Sequence, residues 1–496
     1  MPDLMTINLY NTLTGNLEPL APSDGTTFRM YACGPTVYDY GHIGNFRTFV
    51  HVDVLRRVLH QRGITTRHVL NITDVDDKII RNASAAGVPI SEYTPRFERA
   101  FFEDLKWLNV EKPEIISRAT DNIPEMVELV QRLAANNAAY QAEDGSWYFR
   151  IAAFADYGKL SKKDLDGIEV GARVDVDEYN KNAGSDFALW KAAKPGEHAW
   201  DTAIGAGRPG WHIECSAMAM KFLGDSFDLH AGGEDLMFPH HENEIAQSES
   251  VTHQTFAHHW MHIRFLLVDG RKMSKSEGNF YTLRDLLLKG HRASAIRMLL
   301  LSVPYRHQLN FTMDGLAEAT NSIERLRVFH NRIAQGSFPE GENPALDAVI
   351  AKSATDYDAS LSDDLNTAEA RAAIFEMVRA GNVAVDQGKM FAGTQERILA
   401  LLARFDAVFA VLIDNDEAIT RAALAWAETE GRMTQACEEL VAQLALSDEQ
   451  IDALIDERNQ ARKSRNFARA DEIRKELAEK NILIEDSKDG VRWKRK

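Results

Sequence analysis

Cysteine is scarce in this chain: three residues, Cys33, Cys215 and Cys437, in 496. An odd count spread this thinly excludes a disulfide scaffold and points to a reducing, cytoplasmic compartment. There is no internal repeat and no low-complexity tract, which leaves out solenoids and disordered arrays. No apolar run approaches the roughly 18 residues of a membrane helix. The opening residues, MPDLMTINLYNTLTG, carry neither a basic n-region nor an Arg-rich pattern, so no export or organelle signal is expected. Positive charge is in deficit, 57 Lys and Arg against 74 Asp and Glu, a formal −17. That total does not exclude a nucleic-acid partner, because binding follows local patches. From Glu457 to Lys496 there are 13 Lys and Arg against 8 Asp and Glu, so this tail is +5 and the remainder near −22.

What is present is ordinary globular composition, 45% hydrophobic and 26% charged. The length is too great for one core and predicts three or four domains. The organising stretch is Phe28 to Leu59. An extended apolar run ends at Cys33, and Gly34-Pro35 breaks it. A turn, Tyr40-Gly41-His42-Ile43-Gly44-Asn45, then opens a helix with apolar residues at 46, 50, 54 and 58, thickened by Phe49, Leu55 and Leu59. Gly63 stops this helix, and Arg67–Thr73 reads as the next strand. Strand, turn, helix and strand make the parallel crossover of a nucleotide-binding sheet, with amides at the helix start available to phosphate. Cys33 falls on the lip where such sheets bind ligands.

Further along, residues 92–109 and 124–135 read as helices, and Ala139–Glu143 with Trp147–Ile151 as a hairpin around Asp144-Gly145. A loop-rich stretch then runs to Pro209-Gly210. Phe227–His230 reads as a strand, Pro239 as the first position of a helix through Ser248, and Ile263–Val268 as a strand before Lys272-Met-Ser-Lys-Ser276. From 282 to about 430 the pattern is nearly all helical, broken by a loop at Gly336–Asn343. In the tail, Ser447-Asp-Glu-Gln450 is a capping box, a second helix spans 467–480, and Ile482–Glu485 with Val491–Lys494 make a hairpin.

Taken singly, the turn at Gly41-His42-Ile43-Gly44-Asn45 and the loop bearing Lys272 and Lys275 are unspecific, since exposed lysines mostly serve solvation. In this order and on these elements, they match the two signatures of class I aminoacyl-tRNA synthetases. Activation of an amino acid by ATP requires alignment and charge stabilisation rather than covalent help. His42 and Asn45 can donate from one side and Lys272 and Lys275 from the other, with loop closure completing the site. A third set joins Cys33, Cys215 and the segment Pro239-His-His-Glu-Asn-Glu244. Two sulfurs, one imidazole and one carboxylate suit Zn²⁺. His240 and Glu244 share a helical face at i, i+4, but spacing alone does not separate His240 from His241 or Glu244 from Glu242.

Longer strings carry a specific resemblance: Cys33-Gly-Pro-Thr-Val-Tyr-Asp39, Asn71-Ile-Thr-Asp-Val-Asp-Asp-Lys-Ile-Ile80, Gly207-Arg-Pro-Gly-Trp-His-Ile-Glu-Cys-Ser216, Leu236-Met-Phe-Pro-His-His-Glu-Asn-Glu-Ile-Ala-Gln247 and Lys272–Ser276. Essentially end to end, the chain resembles the bacterial cysteinyl-tRNA synthetases. The resemblance implies an α/β architecture: a Rossmann-type parallel-sheet catalytic domain split by an insertion, then an α-helical bundle and a small α+β anticodon-binding domain. The implied divisions are 1–113 and 206–265 for the two catalytic halves, 114–205 for the insertion, 266–315 for the stem-contact region with the lysine loop, 316–430 for the bundle and 431–496 for the anticodon module. It implies Zn²⁺ on Cys33, Cys215, His240 and Glu244, and ATP with Mg²⁺ on Gly41, His42, Gly44, Asn45 and Lys275. Substrate cysteine would lie against Gly34, Thr73, Trp211 and Asp235. The partner would be tRNA(Cys), met in the tail by Arg458, Arg462, Lys463, Arg465 and Arg469 on phosphate and Trp493 on a base, with the protein a cytoplasmic monomer. Asn45 departs from the class I signature, where histidine is commoner; its amide can still donate.

Zinc would answer a selection problem. A plain pocket separates near-isosteres such as cysteine and serine by only ~10²-fold, whereas translation needs roughly 10⁴, about 5.5 kcal/mol. Two rivals use the same features. A mycothiol-pathway cysteine ligase would share the adenylate chemistry but has no need of an anticodon module, so the chain's length and basic tail count against it. A catalytically silent tRNA-binding paralogue would not require the intact lysines, histidine turn and four candidate ligands.

Overall fold

The computed structural model describes residues 6–162, 173–174, 186–444, 446, 448–480, 482–487 and 490–495. The chain divides into two compact units, Met1–Thr282 with Ser294–Leu412, and Leu283–Ala293 with Ile413–Lys496.

The first unit is built on an all-parallel sheet. Its strands are β1 (Thr27–Ala32), β2 (Thr65–Ile72), β3 (Ile115–Arg118), and two more met later in the chain. Between β1 and β2 runs α1 (Ile43–Gln61), the expected crossover, ended by Gly63 at φ +75°. The expected one-sided stripe understates α1: Arg47, His51, Asp53 and Arg56 are buried along with its apolar residues. These polar groups are anchors. Asp53 meets Arg297 at 2.5 Å, both fully buried, and the Arg297 guanidinium also donates to the carbonyls of Leu108 and Phe409. Helix α2 (Pro95–Trp107) leads to the edge strand β3, and α3 (Ile123–Ala135) follows it.

A second, mixed sheet comes next: antiparallel strands β4 (Ala139–Gln141), β5 (Trp147–Phe149), β6 (Asp186–Ala192) and β7 (Gly207–Pro209), paired in the order β7-β6-β5-β4, with the two-residue strand Arg173–Val174 parallel to β6. The hairpin around Asp144-Gly145 is therefore present; of the expected loop-rich stretch after it, residues 163–172 and 175–185 lie outside the described residues, and Asp186–Ala192 and Gly207–Pro209 are strands rather than loop. The chain returns through α4 (Trp211–Leu223) to β8 (Phe227–Gly233), α5 (Glu242–Thr252) and β9 (Ala257–Ile263). The parallel sheet reads β9-β8-β1-β2-β3.

Helical backbone resumes at Pro239 as expected: Phe238 before it is extended (φ −138°, ψ 131°), the preference of a residue that precedes proline, and regular α-helix follows from Glu242. A further expectation needs correction: the run Ile263–Val268 is not one strand. Ile263 ends β9, and β10 (Leu266–Val268) belongs to a small sheet with β11 (Arg271–Lys272) and β12 (Leu309–Phe311). Strand β9 is hidden in the sequence by its three histidines, of which His262 is buried.

Four long helices complete the unit: α6 (Met313–Gln335), α7 (Pro344–Ser362), α8 (Thr367–Asp386) and α9 (Ala392–Phe409). The expected loop at Gly336–Asn343 separates the first two. In the second unit, α10 (Asp416–Thr429), α11 (Gln435–Gln443), α12 (Asp448–Lys463) and α13 (Phe467–Glu479) precede an antiparallel hairpin, β13 (Ile482–Ser487) and β14 (Gly490–Arg495). Ile451, Ile455, Ile473, Leu477 and Ile482 form its apolar centre. The Ser447 cap and Asp489 of the turn lie outside the described residues. Among the described residues no helix is long and apolar enough to cross a membrane.

Candidate active site and metal centre

Because the sheet is parallel, the residues that follow β1, β2, β8 and β9 gather at one edge. Cys33 follows β1 there. Gly34 is obligatory beside it: a Cβ would sit 1.7 Å from the Asn71 carbonyl oxygen, and its amide donates to Asn71 Oδ1 at 2.7 Å. Helix α4 carries Cys215, and the turn into α5 carries His240, with Glu244 one helical turn on. The ligand atoms of Cys33, Cys215, His240 and Glu244 all lie within 4.8 Å of one another. The sulfurs are 3.9 Å apart and unbonded, and His240 Nε2 is 3.1 Å from Glu244 Oε1.

A second set, Cys33, His230, His241 and Glu244, meets the same distance limit and shares two members with the first. Glu242 is in neither. Its buried carboxylate accepts the amides of Gly158, Leu160 and Ser161 at 2.9, 3.3 and 2.9 Å, pinning the insertion to α5. Behind the four donors stand further imidazoles. His230 Nε2 lies 2.9 Å from Glu244 Oε2, His212 Nδ1 lies 2.9 Å from His240 Nδ1, and His241 bridges Cys33 Sγ (3.4 Å) and His262 (2.8 Å). His230, at the heart of β8, and His212, inside the Trp-His-Ile-Glu-Cys string, carried no spacing signal in the sequence.

Electrostatics follow from this crowding. Burial pushes the Cys33 thiol up, and the neighbouring Cys215 sulfur pushes it further. Burial opposes ionisation of Cys215 too, yet its hydrogen bond with Cys33 and the nearby His240 draw it down to about 6. Glu244 is likewise held down to about 2 by His230 and His240 despite its burial. Burial works against a charged His240, but Glu244 and Cys215 lift it to about 10. Two sulfurs, an imidazole and a carboxylate with this much stabilised negative charge fit a thiophilic divalent cation.

The other predicted residues surround this cluster. The Trp211 ring stacks on His240 with centroids 4.4 Å apart. Thr73 is buried, and its hydroxyl donates to Glu214 Oε2 at 3.1 Å, a carboxylate that sequence patterns did not flag. Asp235 is exposed just past β8. At the start of α1, His42 and Asn45 form a reciprocal cap: Asn45 N–H donates to His42 Nδ1, and His42 N–H to Asn45 Oδ1. Burial holds His42 below its ordinary pKa; because Nδ1 accepts the Asn45 N–H, the neutral form of the ring carries its proton on Nε2. A Cβ on Gly44 would come 3.0 Å from that ring, and one on Gly41 3.1 Å from Phe46.

The lysine loop is laced to this turn. Ile43 N–H donates to the Tyr281 carbonyl at 3.0 Å, and Asn279 holds the loop by Ser274 N–H and the Lys272 carbonyl. Lys275 Nζ reaches Asp39 Oδ2 at 2.6 Å, over the Phe280 ring that His42 meets edge-on. Lys272 is exposed on β11.

In the second unit the six tail residues part company. Arg462, Lys463 and Arg465 are exposed. Arg458 is 3% exposed, which withdraws it from a surface contact, and Arg469 is engaged by Glu457 and Glu472. Trp493 packs on the apolar centre and donates to Asp452 Oδ1 at 2.7 Å, a tie that base stacking would have to accommodate.

Comparison with known proteins agrees along the whole chain. Residues 19–321 match the class I (C) tRNA synthetase catalytic domain, 356–412 the DALR domain, and 447–493 the cysteinyl-tRNA ligase anticodon binding domain. Relatives named cysteine–tRNA ligase include those of Koribacter versatilis, 56% identical over 99% of this chain and 100% of its own, and Solibacter usitatus, 52% identical over the same shares. Among solved structures, Mycobacterium tuberculosis methionyl-tRNA synthetase with methionyl-adenylate matches with a TM-score of 0.59 over 86% of this chain and 95% of that one. At 17% identity, this is a likeness of fold.

Proposed function

The chain belongs to the cysteine–tRNA ligase family of class I aminoacyl-tRNA synthetases, and from that membership we propose that it activates L-cysteine with ATP and transfers the cysteinyl group to the 3′-terminal ribose of tRNA(Cys). The observation that carries the reading is the convergence of Cys33, Cys215, His240 and Glu244 on the same sheet edge as the His42 turn. Of the two overlapping sets, this one offers two soft sulfurs, and we assign it one Zn²⁺, with His230 and His241 as supporting groups. A bound zinc ion supplies a thiophilic centre that favours a thiolate over serine's hydroxyl.

The chain's own groups do the rest. Gly34, Thr73, Trp211 and Asp235 surround substrate cysteine, with the Glu214 carboxylate fixing the Thr73 hydroxyl. The substrate carboxylate oxygen attacks the α-phosphorus of Mg²⁺-bound ATP, and pyrophosphate leaves. Gly41 and Gly44 let the backbone approach the phosphates, and His42 Nε2–H and Asn45 donate to them. Lys272 and Lys275 stabilise charge from the opposite side. A ribose hydroxyl of the tRNA then attacks the acyl carbon and AMP departs. Arg462, Lys463 and Arg465 are the exposed tail groups suited to phosphate. We place the protein in the cytoplasm as a monomer, with catalytic halves 1–113 and 206–265, insertion 114–205, stem-contact region 266–315, bundle 316–430 and anticodon module 431–496.

The test is cysteine-dependent ATP–pyrophosphate exchange and charging of total tRNA, with and without a zinc chelator. Exchange and charging that require zinc are expected. A chain that binds zinc but does not exchange pyrophosphate would be a silent paralogue, and one that exchanges but charges only an amino-sugar acceptor would be a mycothiol-type ligase. Serine is expected to support exchange at least a hundredfold less well than cysteine.

A further inference from the structure

Phe265 breaks the pattern of its surroundings. Its neighbours Ile263 and Leu266 are 2% and 3% exposed, yet the ring between them is 47% exposed. The backbone there is not loose. Arg264 N–H donates to the Tyr305 carbonyl at 2.9 Å, and the Arg264 carbonyl accepts from the buried Arg47 guanidinium. That guanidinium also donates to the carbonyls of Pro304 (3.2 Å) and His307 (2.7 Å). Among the described residues no carboxylate is bonded to it, and burial lowers its pKa to about 10. A buried cation spent on three carbonyls is costly, and what it secures is the crossing from β9 to β10 that holds Phe265 outward.

The position is telling. Phe265 stands just past the carboxyl end of β9, on the same sheet edge as Cys33, two strands away or about 10 Å by strand spacing. The β10–β11 hairpin begins at the next residue and carries Lys272. The segment that follows carries exposed cations: Arg264, 3.5 Å from Glu234, Arg271, 3.3 Å from Glu277, and Lys272, which pairs across the hairpin with Leu267. Carboxylates offset two of these cations, so the segment combines partly neutralised positive charge with one aromatic face on a backbone fixed by hydrogen bonds. That combination suits unpaired nucleotides: cations for phosphate and a π-face for a base.

We propose that Phe265 is a stacking platform for a base in the single-stranded 3′ end of the tRNA, held on the approach to the site where the acyl group is transferred. This rests on the ligase reading above, and it adds a contact made only in the transfer step. An apolar side chain kept half in water by a rigid backbone gains its burial when the base arrives.

The experiment compares Phe265→Ala and Phe265→Tyr with the parent in both half-reactions. Parent exchange and charging are measured first, so failure of the ligase reading shows itself separately. For Phe265→Ala, the KM for tRNA in charging is expected to rise about tenfold to a hundredfold. The KM for ATP in pyrophosphate exchange, where no tRNA is present, is expected to stay within twofold. Phe265→Tyr, which keeps the π-face, should charge like the parent. Binding of tRNA lacking its last unpaired nucleotides should no longer distinguish Phe265→Ala from the parent. An unchanged KM for tRNA overturns the proposal, as does a raised KM for ATP, which would give the ring to ATP's adenine. Equal loss in the tyrosine variant would make the residue structural and also overturn it.

Discussion

His230 Nε2 lies 2.9 Å from Glu244 Oε2, and both side chains are fully buried. This contact takes up one carboxylate oxygen and leaves Oε1 facing His240 and the sulfurs of Cys33 and Cys215. Groups that orient a ligand in this way matter to metal affinity nearly as much as the ligands themselves. His230→Ala is expected to weaken zinc binding about 10- to 100-fold, read by chelator competition, while Cys215→Ser should bring zinc content well below one per chain. Unaltered affinity in His230→Ala would mean that Glu244 does not hold the metal.

Glu242 makes a different prediction two residues earlier. Its carboxylate satisfies three amides of the insertion turn, so Glu242→Ala strands all three in a buried setting. A loss of about 2–4 kcal/mol is expected, with hydrogen exchange accelerated at Gly158, Leu160 and Ser161 before it rises elsewhere. Protection at those amides equal to the parent's would show that the turn is held by other means.

Asp53 and Arg297 are a buried ion pair joining α1 to the segment 293–300. Asp53→Ala leaves an uncompensated guanidinium and should cost about 3–5 kcal/mol in urea unfolding. Replacing both residues with apolar ones of similar size should recover most of it. A double variant as unstable as the single one would place the cost in Asp53's other bonds, to Arg57 and to the Glu111 amide.

Acid sensitivity should come partly from histidines outside the candidate metal centre. Burial, aided by Arg47, holds His51 down to about 3, and burial with Arg56 lowers His68 as well. Below pH ~6.5 the unfolded chain takes protons that these folded imidazoles refuse, so stability is full above that value and falls as pH drops towards 3. The slope is at most ~1.4 kcal/mol per pH unit for each group. Urea midpoints at pH 7, 6 and 5 should fall in the parent and fall less steeply in His51→Gln; parallel lines would contradict the assignment.

Lys275 and Asp39 are paired but largely in solvent, at 64% and 38% side-chain exposure. Such a pair contributes no more than ~1 kcal/mol to stability. Lys275→Ala should therefore unfold like the parent, while pyrophosphate exchange slows by roughly 10²-fold or more, the scale of losing one transition-state donor. An exchange rate within a factor of three of the parent would remove Lys275 from the chemistry.

Much of this molecule was legible in one dimension. The run into Cys33, the glycine-bearing turn and the 3.6-residue stripe from Phe46 to Leu59 specify a strand–turn–helix unit wherever they occur, because period and turn chemistry are local properties. Strand β9 was not legible, since His258, His259 and His262 obscure its alternation and only the finished sheet shows which of them is buried. The start of the helical backbone at Pro239 was legible, because proline suits a first helical position and pushes the residue before it, Phe238, into extended backbone.

The linear order of residues determined the parallel-sheet class, the place of the glycine-bearing turn, the lysine loop and the pool of donors from which a metal centre could be drawn. Only the folded chain decided how that pool is divided. Glu242 turns to the amides of the insertion, Glu244 turns to His230 and His240, and Arg458 retires into a core that a charge count treats as surface. The reason is geometric: periodicity fixes which face a side chain leaves from, but partners for a buried charge come from segments more than two hundred residues away, as Asp53 and Arg297 show, and their arrival depends on packing.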